Sequence, residues 1–267
     1  MPIIFLDGTP LHYETRGTGS PLLLLNGIGL DLSAWGPIAD SLAREHRLVL
    51  VDARGCGHSG PPVESCTTAL LARDALALLD HLAFDPVDVL GLSLGGLVAQ
   101  ELALLAPGKV RSIVLAATAA RLPGRPRRAI DAWRRLLLAE TDADAFWREL
   151  LAWVLGPGTL EDDAAIAGML AAFMGTPAPS SLGFSAQADA CLAHDTRDRA
   201  SRIGVPALVL AGKDDVLFPP PAVEELANLL PRARLEVHPG GHAFLLENAG
   251  PVAASVLRFL AENARGE

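Results

Sequence analysis

Short apolar runs recur along the chain, and each has the length of a β-strand. The first two flank Asp7-Gly8, a turn signal that predicts a β-hairpin. The later runs are almost continuously apolar, which is typical of strands buried on both faces of a parallel sheet. The predicted strands cover residues 3–6, 11–15, 21–26, 47–52, 87–92, 110–116, 206–212 and 233–238.

Helical spacing of apolar residues appears between these strands. In one such segment, Thr67 or Thr68 is a suitable N-cap, and in the next Pro107-Gly108 ends the pattern. Strands that alternate with helices through short connections predict an α/β doubly wound fold. The predicted helices cover residues 67–82, 97–105, 223–230 and 252–264.

One long segment, residues 121–205, departs from this alternation because it contains no convincing strand. Three helical patterns occupy it instead, and we expect them to form a cap over the sheet. The predicted organisation is therefore a core of residues 1–120 and 206–267 with a helical cap inserted after the sixth strand. The apolar stripes of the cap are Ile130, Trp133 and Leu137; Phe146, Leu150, Trp153 and Val154; and Ile166, Met169, Leu170, Phe173 and Met174.

Composition narrows the class of protein. The chain has 267 residues, of which 50% are hydrophobic, so it can bury a large core. Its formal charge of −9 and the lack of an extended basic patch argue against a nucleic-acid partner. A local arginine cluster is interpreted as the solvated start of a helix, with a carboxylate-binding rim as the alternative. The cluster consists of Arg121, Arg125, Arg127 and Arg128.

The location is inferred from what the chain lacks. Cys56, Cys66 and Cys191 are too few and too scattered for a disulfide framework or a metal site, which suits a reducing cytoplasm. The first residues have no basic region followed by a long apolar one, so we expect no signal peptide. No apolar run reaches the length of a membrane span. We therefore expect a cytoplasmic protein without a membrane partner, as a monomer or homodimer.

The candidate nucleophile is Ser93, in the stretch Gly91-Leu-Ser-Leu-Gly95 that follows the fifth predicted strand. This stretch fits the G-x-S-x-G pattern, in which the serine occupies a sharp strand-to-helix turn. Side chains at either glycine would clash where strand and helix approach one another. The flanking strand and helix make the match more specific than the bare pattern.

The candidate acid and base follow the last two strands. Asp215 stands three residues after Gly212 and is preferred to its neighbour Asp214 as the carboxylate at this edge. The loop Pro239-Gly-Gly-His242 can bring an imidazole toward the serine. The remaining histidines are interpreted as structural or exposed, and His58, in the loop of residues 54–59, is the one among them kept as an alternative candidate.

A glycine-containing loop, Asn26-Gly-Ile-Gly29, follows the third predicted strand. Its backbone N–H groups can face the serine, so Ile28 and Leu94 are the expected pair of oxyanion donors. Loss of one such donor typically removes about 2.7–4 kcal/mol of transition-state stabilisation.

These elements together make the chain resemble the α/β-hydrolase superfamily over essentially its whole length. The order Ser93, Asp215, His242 is the order of that family. Further similar stretches are residues 52–59, the Gly212-to-Pro219 segment and Gly241-His242 followed by Glu247. The resemblance implies an eight-stranded, mostly parallel sheet flanked by helices and carrying a cap. Asn26-Gly27 departs from the His-Gly of many relatives and is similar to enol-lactonases and some polyester depolymerases.

The resemblance implies a serine hydrolase that cleaves a carboxylic ester or lactone of a small, largely apolar substrate. It implies no metal and no organic cofactor. Two alternatives remain open: an enol-lactone or C–C bond hydrolase of a catabolic or biosynthetic pathway, and a non-catalytic small-molecule binder. The cap residues expected to line the substrate pocket are Trp133, Trp147, Trp153 and Phe173.

Overall fold

Eight strands form one sheet in the computed structural model, which describes residues 2–61, 66–175 and 179–264. The strand order is β1-β2-β4-β3-β5-β6-β7-β8, and only the β1/β2 and β2/β4 pairs are antiparallel. The prediction of a mostly parallel sheet is confirmed. The strands are β1 (Ile3–Leu6), β2 (Thr9–Arg16), β3 (Ser20–Leu25), β4 (His46–Val51), β5 (Val87–Leu92), β6 (Val110–Ala116), β7 (Ala207–Gly212) and β8 (Ala233–His238).

The apolar runs of the sequence reflect burial on both faces of the sheet. In β3, Leu23 and Leu25 point into one hydrophobic cluster, and the alternate residues Leu22 and Leu24 point into another. All four are buried, so neither face of this central strand offers a position for a polar side chain. The two clusters fill the space between the sheet and the helices on either side.

The core helices, which surround the sheet, are α1 (Gly36–Leu42), α2 (Thr68–His81), α3 (Leu94–Leu105), α9 (Pro220–Leu229), α10 (Phe244–Glu247) and α11 (Ala249–Ala264). Of these, α1 and α10 are absent from the prediction, because they are only seven and four residues long. Helix α1 begins with Pro37 near its first position and packs against α11. The cap helices, which lie between β6 and β7, are α4 (Gly124–Leu138), α5 (Ala143–Val154), α6 (Pro157–Leu160), α7 (Asp163–Met174) and α8 (Ser181–Ala193).

The sequence analysis missed α8, and the reason is its composition. Small and polar residues replace the single apolar stripe on which the other predictions rested. Its buried residues lie on one broad face of the helix, but they include Gly183, Gln187 and Ala188, whereas the apolar Leu182 is exposed. Within the described residues, none of the helices combines the length and the apolar character that a membrane crossing requires.

A buried histidine follows α8. His194 is 3% exposed, and its Nδ1 lies 2.9 Å from Oγ1 of Thr68 at the start of α2. Burial lowers the pKa of His194 to about 4; the charge of Glu101 opposes this shift, Arg199 adds to it and Asp195 opposes it. The folded protein therefore holds this imidazole neutral in a pH range where an exposed histidine would be charged.

This burial predicts a loss of stability in mild acid. In the unfolded chain the histidine takes up a proton below about pH 6.5, whereas in the folded chain it stays neutral down to about 4. The contribution of His194 therefore leaves the free energy of unfolding unchanged above the pKa of the unfolded chain. It lowers that free energy, by up to about 3 kcal/mol, as the pH falls toward the pKa of the folded chain. Urea titrations at several pH values should show this fall. The fall should be smaller for His194→Gln, and an equal fall in that variant would assign the effect to other groups.

Candidate active site

The strand-to-helix turn at Ser93 is a sharply bent element of the backbone. Ser93 has φ 53° and ψ −112°, between the end of β5 and the start of α3. A Cβ atom at Gly91 would overlap the carbonyl of Gly95, and one at Gly95 would overlap the carbonyl of Leu25. A non-glycine residue at such a φ costs about 1–3 kcal/mol, which the close packing of strand and helix must offset.

Hydrogen bonds hold the backbone of Ser93 in place, whereas its hydroxyl group is available to a ligand. Its N–H donates to the Ala116 carbonyl at 2.9 Å, and its carbonyl accepts from Thr118 Oγ1 at 3.0 Å. Within the described part of the chain, its hydroxyl forms no hydrogen bond. The residue lines a cavity that lies between the sheet edge and the cap, and His242 lines the same cavity.

Asp215 and His242 are in direct contact. Nδ1 of His242 lies 2.9 Å from Oδ2 of Asp215, whose Oδ1 accepts from the N–H groups of Leu217 at 2.8 Å and Phe218 at 2.9 Å. An ionised carboxylate only accepts hydrogen bonds, so the Nδ1 proton faces Asp215 and Nε2 is free to take up a proton. Asp214 is exposed, so the contacts favour Asp215, the residue preferred from the sequence.

Burial and neighbouring charge have opposite effects on the pKa of Asp215. Asp215 is 2% exposed, and its burial alone would raise its pKa. The charge of His242, the hydrogen bond with it and the two backbone N–H groups outweigh burial, so the pKa of Asp215 is lowered. The carboxylate is therefore ionised at neutral pH and can stabilise a positively charged imidazole.

The loop that carries His242 is tied to the cap through Glu247. One carboxylate oxygen of Glu247 accepts from the Gly241 N–H at 2.7 Å. The other accepts from the Gly156 N–H at 2.8 Å and from the Thr159 hydroxyl at 2.6 Å, both in the cap. In the sequence Glu247 was noted only as part of a resemblance. Its role in joining the cap to the core could not be predicted from the sequence, because its two partners in the cap lie about ninety residues away.

The predicted oxyanion donors lie close to Ser93. Ile28 lines the cavity with Ser93, and Leu94 is the first residue of α3, directly after the serine. Within the described residues, neither N–H donates to a protein acceptor, so both can serve a ligand. The loop that carries Ile28 is closed by a 2.5 Å hydrogen bond from Asn26 Nδ2 to the Asp31 carbonyl.

The cap residues predicted to line the pocket divide into two groups. Trp133 and Phe173 line the cavity. Trp147 instead stacks on Phe173 at 4.7 Å and lies behind it, and Trp153 donates its indole N–H to Glu149 at 3.0 Å. The sequence could not separate these residues, because helical spacing shows which face of a helix is apolar but not which part of the protein that face contacts. The lining that was not predicted is apolar and includes Leu30, Pro126, Ile130, Leu151, Leu217, Phe218, Leu245 and Leu246.

The other histidine with candidate chemistry, His58, belongs to a different cluster. His12, Asp52 and His58 offer atoms within 4.8 Å of one another, as metal ligands would. The carboxylate of Asp52, however, already accepts from His12 Nδ1 at 2.8 Å, the His58 N–H at 3.0 Å and the Leu32 N–H at 2.7 Å. A metal would displace the Nδ1 proton of His12 to a buried Nε2 that has no partner. These contacts therefore fit a structural anchor for the loop after β4.

The cysteines are poor nucleophiles in this structure. Cys56, Cys66 and Cys191 are all buried and unpaired. Burial raises the pKa of Cys56 to about 12 and that of Cys66 to about 11, and it also raises the pKa of Cys191. The thiols stay protonated at neutral pH and do not compete with Ser93.

Comparison with known proteins agrees with this architecture. A family model described as alpha/beta hydrolase fold matches residues 20–249. A protein of Azorhizobium caulinodans named "Putative carbamate hydrolase RutD" is 34% identical, over 91% of this chain and 92% of its own. A hydrolase from Pseudomonas aeruginosa PA01 has a solved structure with TM-score 0.86 and 33% identity, covering 97% and 98% of the two chains. The enol-lactonase from Burkholderia xenovorans LB400 superposes with TM-score 0.85 and 29% identity, covering 97% and 100%.

The sheet, the elbow and these relatives define the protein as a hydrolase. More specifically, the chain belongs to the alpha/beta hydrolase fold family.

The two neighbouring aspartates allow a matched test of the contact with His242. We expect Asp215→Asn to lower kcat toward a simple ester by about 10³- to 10⁴-fold, because the imidazole loses the partner that fixes its tautomer. Asp214→Asn, at an exposed carboxylate, should change kcat by less than about twofold. Steady-state kinetics of the two purified variants measures both. Equal losses in the two would contradict the assignment.

Proposed function

We propose that this hydrolase cleaves a carboxylic ester or lactone of a small, largely apolar substrate through Ser93, His242 and Asp215. The observation that carries the proposal is the 2.9 Å contact of His242 with Asp215, with His242 and Ser93 lining one cavity. A nucleophile, a base and a group that orients the base are the parts that covalent hydrolysis needs.

The reaction begins when His242 Nε2 takes the proton of the Ser93 hydroxyl as its oxygen attacks the carbonyl carbon of the substrate. The negatively charged tetrahedral intermediate forms with its oxygen near the N–H groups of Ile28 and Leu94. His242 then returns the proton to the leaving alcohol, and an acyl group remains on Ser93. Water, deprotonated by His242, hydrolyses this acyl-enzyme and restores the serine.

The strained turn and the helix after it favour charge separation at the serine. Ser93 lies at the N-terminus of α3, a helix of twelve residues. Unpaired N–H groups and the helix dipole at this end stabilise negative charge. The lowered pKa of Asp215 supports the same mechanism, because an ionised carboxylate stabilises the imidazolium that His242 becomes when it takes the proton of Ser93.

The cavity supports an apolar substrate. Among the described residues, His242 is the only acidic or basic side chain in its lining. None of the four arginines once considered as a carboxylate-binding rim lines it, and Arg127 instead donates to the Leu122 carbonyl at 3.1 Å. A substrate carboxylate in this cavity would lose its hydration without gaining a partner.

Two alternatives use the same site. An enol-lactone or C–C bond hydrolase is favoured to some extent by the similarity to the enol-lactonase of Burkholderia xenovorans. A non-catalytic binder is disfavoured, because binding alone does not require Asp215 to hold a histidine that shares its cavity with a serine. Turnover of an ester separates the binder from both enzymes, and a panel of lactones, thioesters and vinylogous diketones separates the enzymes from one another.

The central test is Ser93→Ala. We expect this variant to lose hydrolysis of p-nitrophenyl butyrate by about 10⁴-fold or more and to lose labelling by a fluorophosphonate. Ser201→Ala, at an exposed serine outside the cavity, is the matched control and should keep both. Peptide mapping of the labelled native protein should find the probe on Ser93. A label elsewhere, or native turnover by Ser93→Ala, would refute the triad.

The apolar lining predicts discrimination against charged acyl groups. We expect kcat/KM for a butyrate ester to exceed that for the matching hemisuccinate ester by about 10²-fold or more, because the second carboxylate enters without a partner. The two esters share one leaving group, so the ratio reports the acyl site alone. Comparable values would show that a cation reaches the substrate.

A further inference from the structure

One amide side chain of the cap reaches two loops at the carboxyl edge of the sheet. Gln187 lies on α8 and is completely buried. Its Oε1 accepts from the Gly29 N–H at 2.9 Å, and its Nε2 donates to the Arg54 carbonyl at 2.9 Å and to Cys56 Sγ at 3.1 Å. The amide thus uses both of its protons and its carbonyl on backbone and side-chain groups of the core.

The backbone packing around this amide leaves it little freedom. Gly29 has φ 72°, and a Cβ atom there would lie 2.9 Å from the ring of Phe184 on α8. A Cβ atom at Gly183 would overlap the carbonyl of Gly55 in the second loop. Since α8 touches both loops through glycines, Gln187 sits in a fixed place between them. A buried amide held in this way orients the groups to which it is bonded.

We propose that Gln187 is a positioning residue, which holds the Ile28–Gly29 peptide so that the N–H of Ile28 faces the oxyanion. The Gly29 N–H belongs to the peptide plane next to the one that carries the Ile28 N–H, and the two planes share only the Ile28 Cα. Fixing the first plane therefore limits the direction of the second. Asn26, which closes the same loop, bonds to the Asp31 carbonyl and leaves this peptide untouched.

This inference rests on the proposed function, because an oxyanion forms only if Ser93 attacks a carbonyl. The distinguishing feature of the proposed role is that Gln187 affects the transition state alone. Gln187 is absent from the cavity lining, so it does not contact the substrate in the ground state. A change at this residue should therefore lower kcat and leave KM nearly unchanged.

The first variant is Gln187→Met, which keeps the length of the side chain and removes its polar atoms. We expect kcat toward p-nitrophenyl butyrate to fall by about 10- to 100-fold, with KM within about twofold of the native value. The affinity for an alkyl boronic acid should fall by a similar factor, because the tetrahedral adduct on Ser93 places an oxygen in the oxyanion position. Steady-state kinetics and inhibition constants give these three quantities.

The matched control is Thr68→Val, which removes another buried hydrogen bond between cap and core. Its partner is His194, directly after α8, so the oxyanion loop is not touched. We expect this variant to lose stability but to keep kcat and boronic acid affinity within about twofold. The thermal midpoint of each variant is measured alongside. A native kcat in Gln187→Met, or an equal loss of kcat in Thr68→Val, overturns the inference.

A second variant, Gln187→Glu, serves if Gln187→Met does not fold. A neutral carboxyl group can accept from Gly29 and donate to the Arg54 carbonyl, whereas a carboxylate cannot donate. Burial raises the pKa of a carboxyl group, so the ratio of variant to native kcat should fall about tenfold between about pH 6 and about pH 9. A ratio independent of pH contradicts the positioning role.

The failure of this inference can be told apart from the failure of the proposed function. If Ser93→Ala is inactive while the Gln187 variants keep native kcat, only this inference fails. If Ser93→Ala is active, the proposed function fails.

Discussion

The close approach of three backbone segments at Gly95 is the constraint on which the site depends. Strand β5 can turn into α3 beside the end of β3 only because no Cβ atom separates the Gly95 backbone from the Leu25 carbonyl. This approach forces the positive φ of Ser93 and raises its side chain into the cavity. The same contact places the loop after β3, with Ile28, next to the serine. One steric condition thus sets both the proposed nucleophile and its oxyanion donors.

The parts of this arrangement that the sequence predicted are those with a local signal. Strand runs, the elbow glycines and the loop before His242 each depend on residues next to one another in the chain. Asp215 was preferred to Asp214 on spacing alone, and the contacts agree with that preference. Helix α8 escaped prediction because its buried face consists largely of glycine, alanine and glutamine, so the sequence lacks the apolar periodicity that marks an amphipathic helix. Long-range partners, such as Gln187 for Gly29, leave no trace in spacing.

Polar joints between cap and core lie close to the reacting groups. Glu247 connects Gly156 of the cap to Gly241, the residue before the histidine. Gln187 connects α8 to the loop of Ile28. Other polar contacts join cap and core outside the cavity lining, among them the hydrogen bond of Thr68 with His194 and the ion pair of Arg199 with Glu101. Because hydrogen bonds have a direction that apolar contacts lack, the joints at Glu247 and Gln187 hold the loops of His242 and Ile28 more firmly than packing alone.

The joint at Glu247 bears on the design of chimeric proteins with this fold. A cap transplanted from a relative would bring a new set of apolar side chains and thereby a new acyl preference. It would also have to present an N–H and a hydroxyl at the places of Gly156 and Thr159, or one oxygen of the partly buried Glu247 carboxylate would lose both of its partners. Chimeras designed around the sheet alone would overlook this requirement. A transplanted cap therefore needs the turn of residues 241–247 to be moved with it.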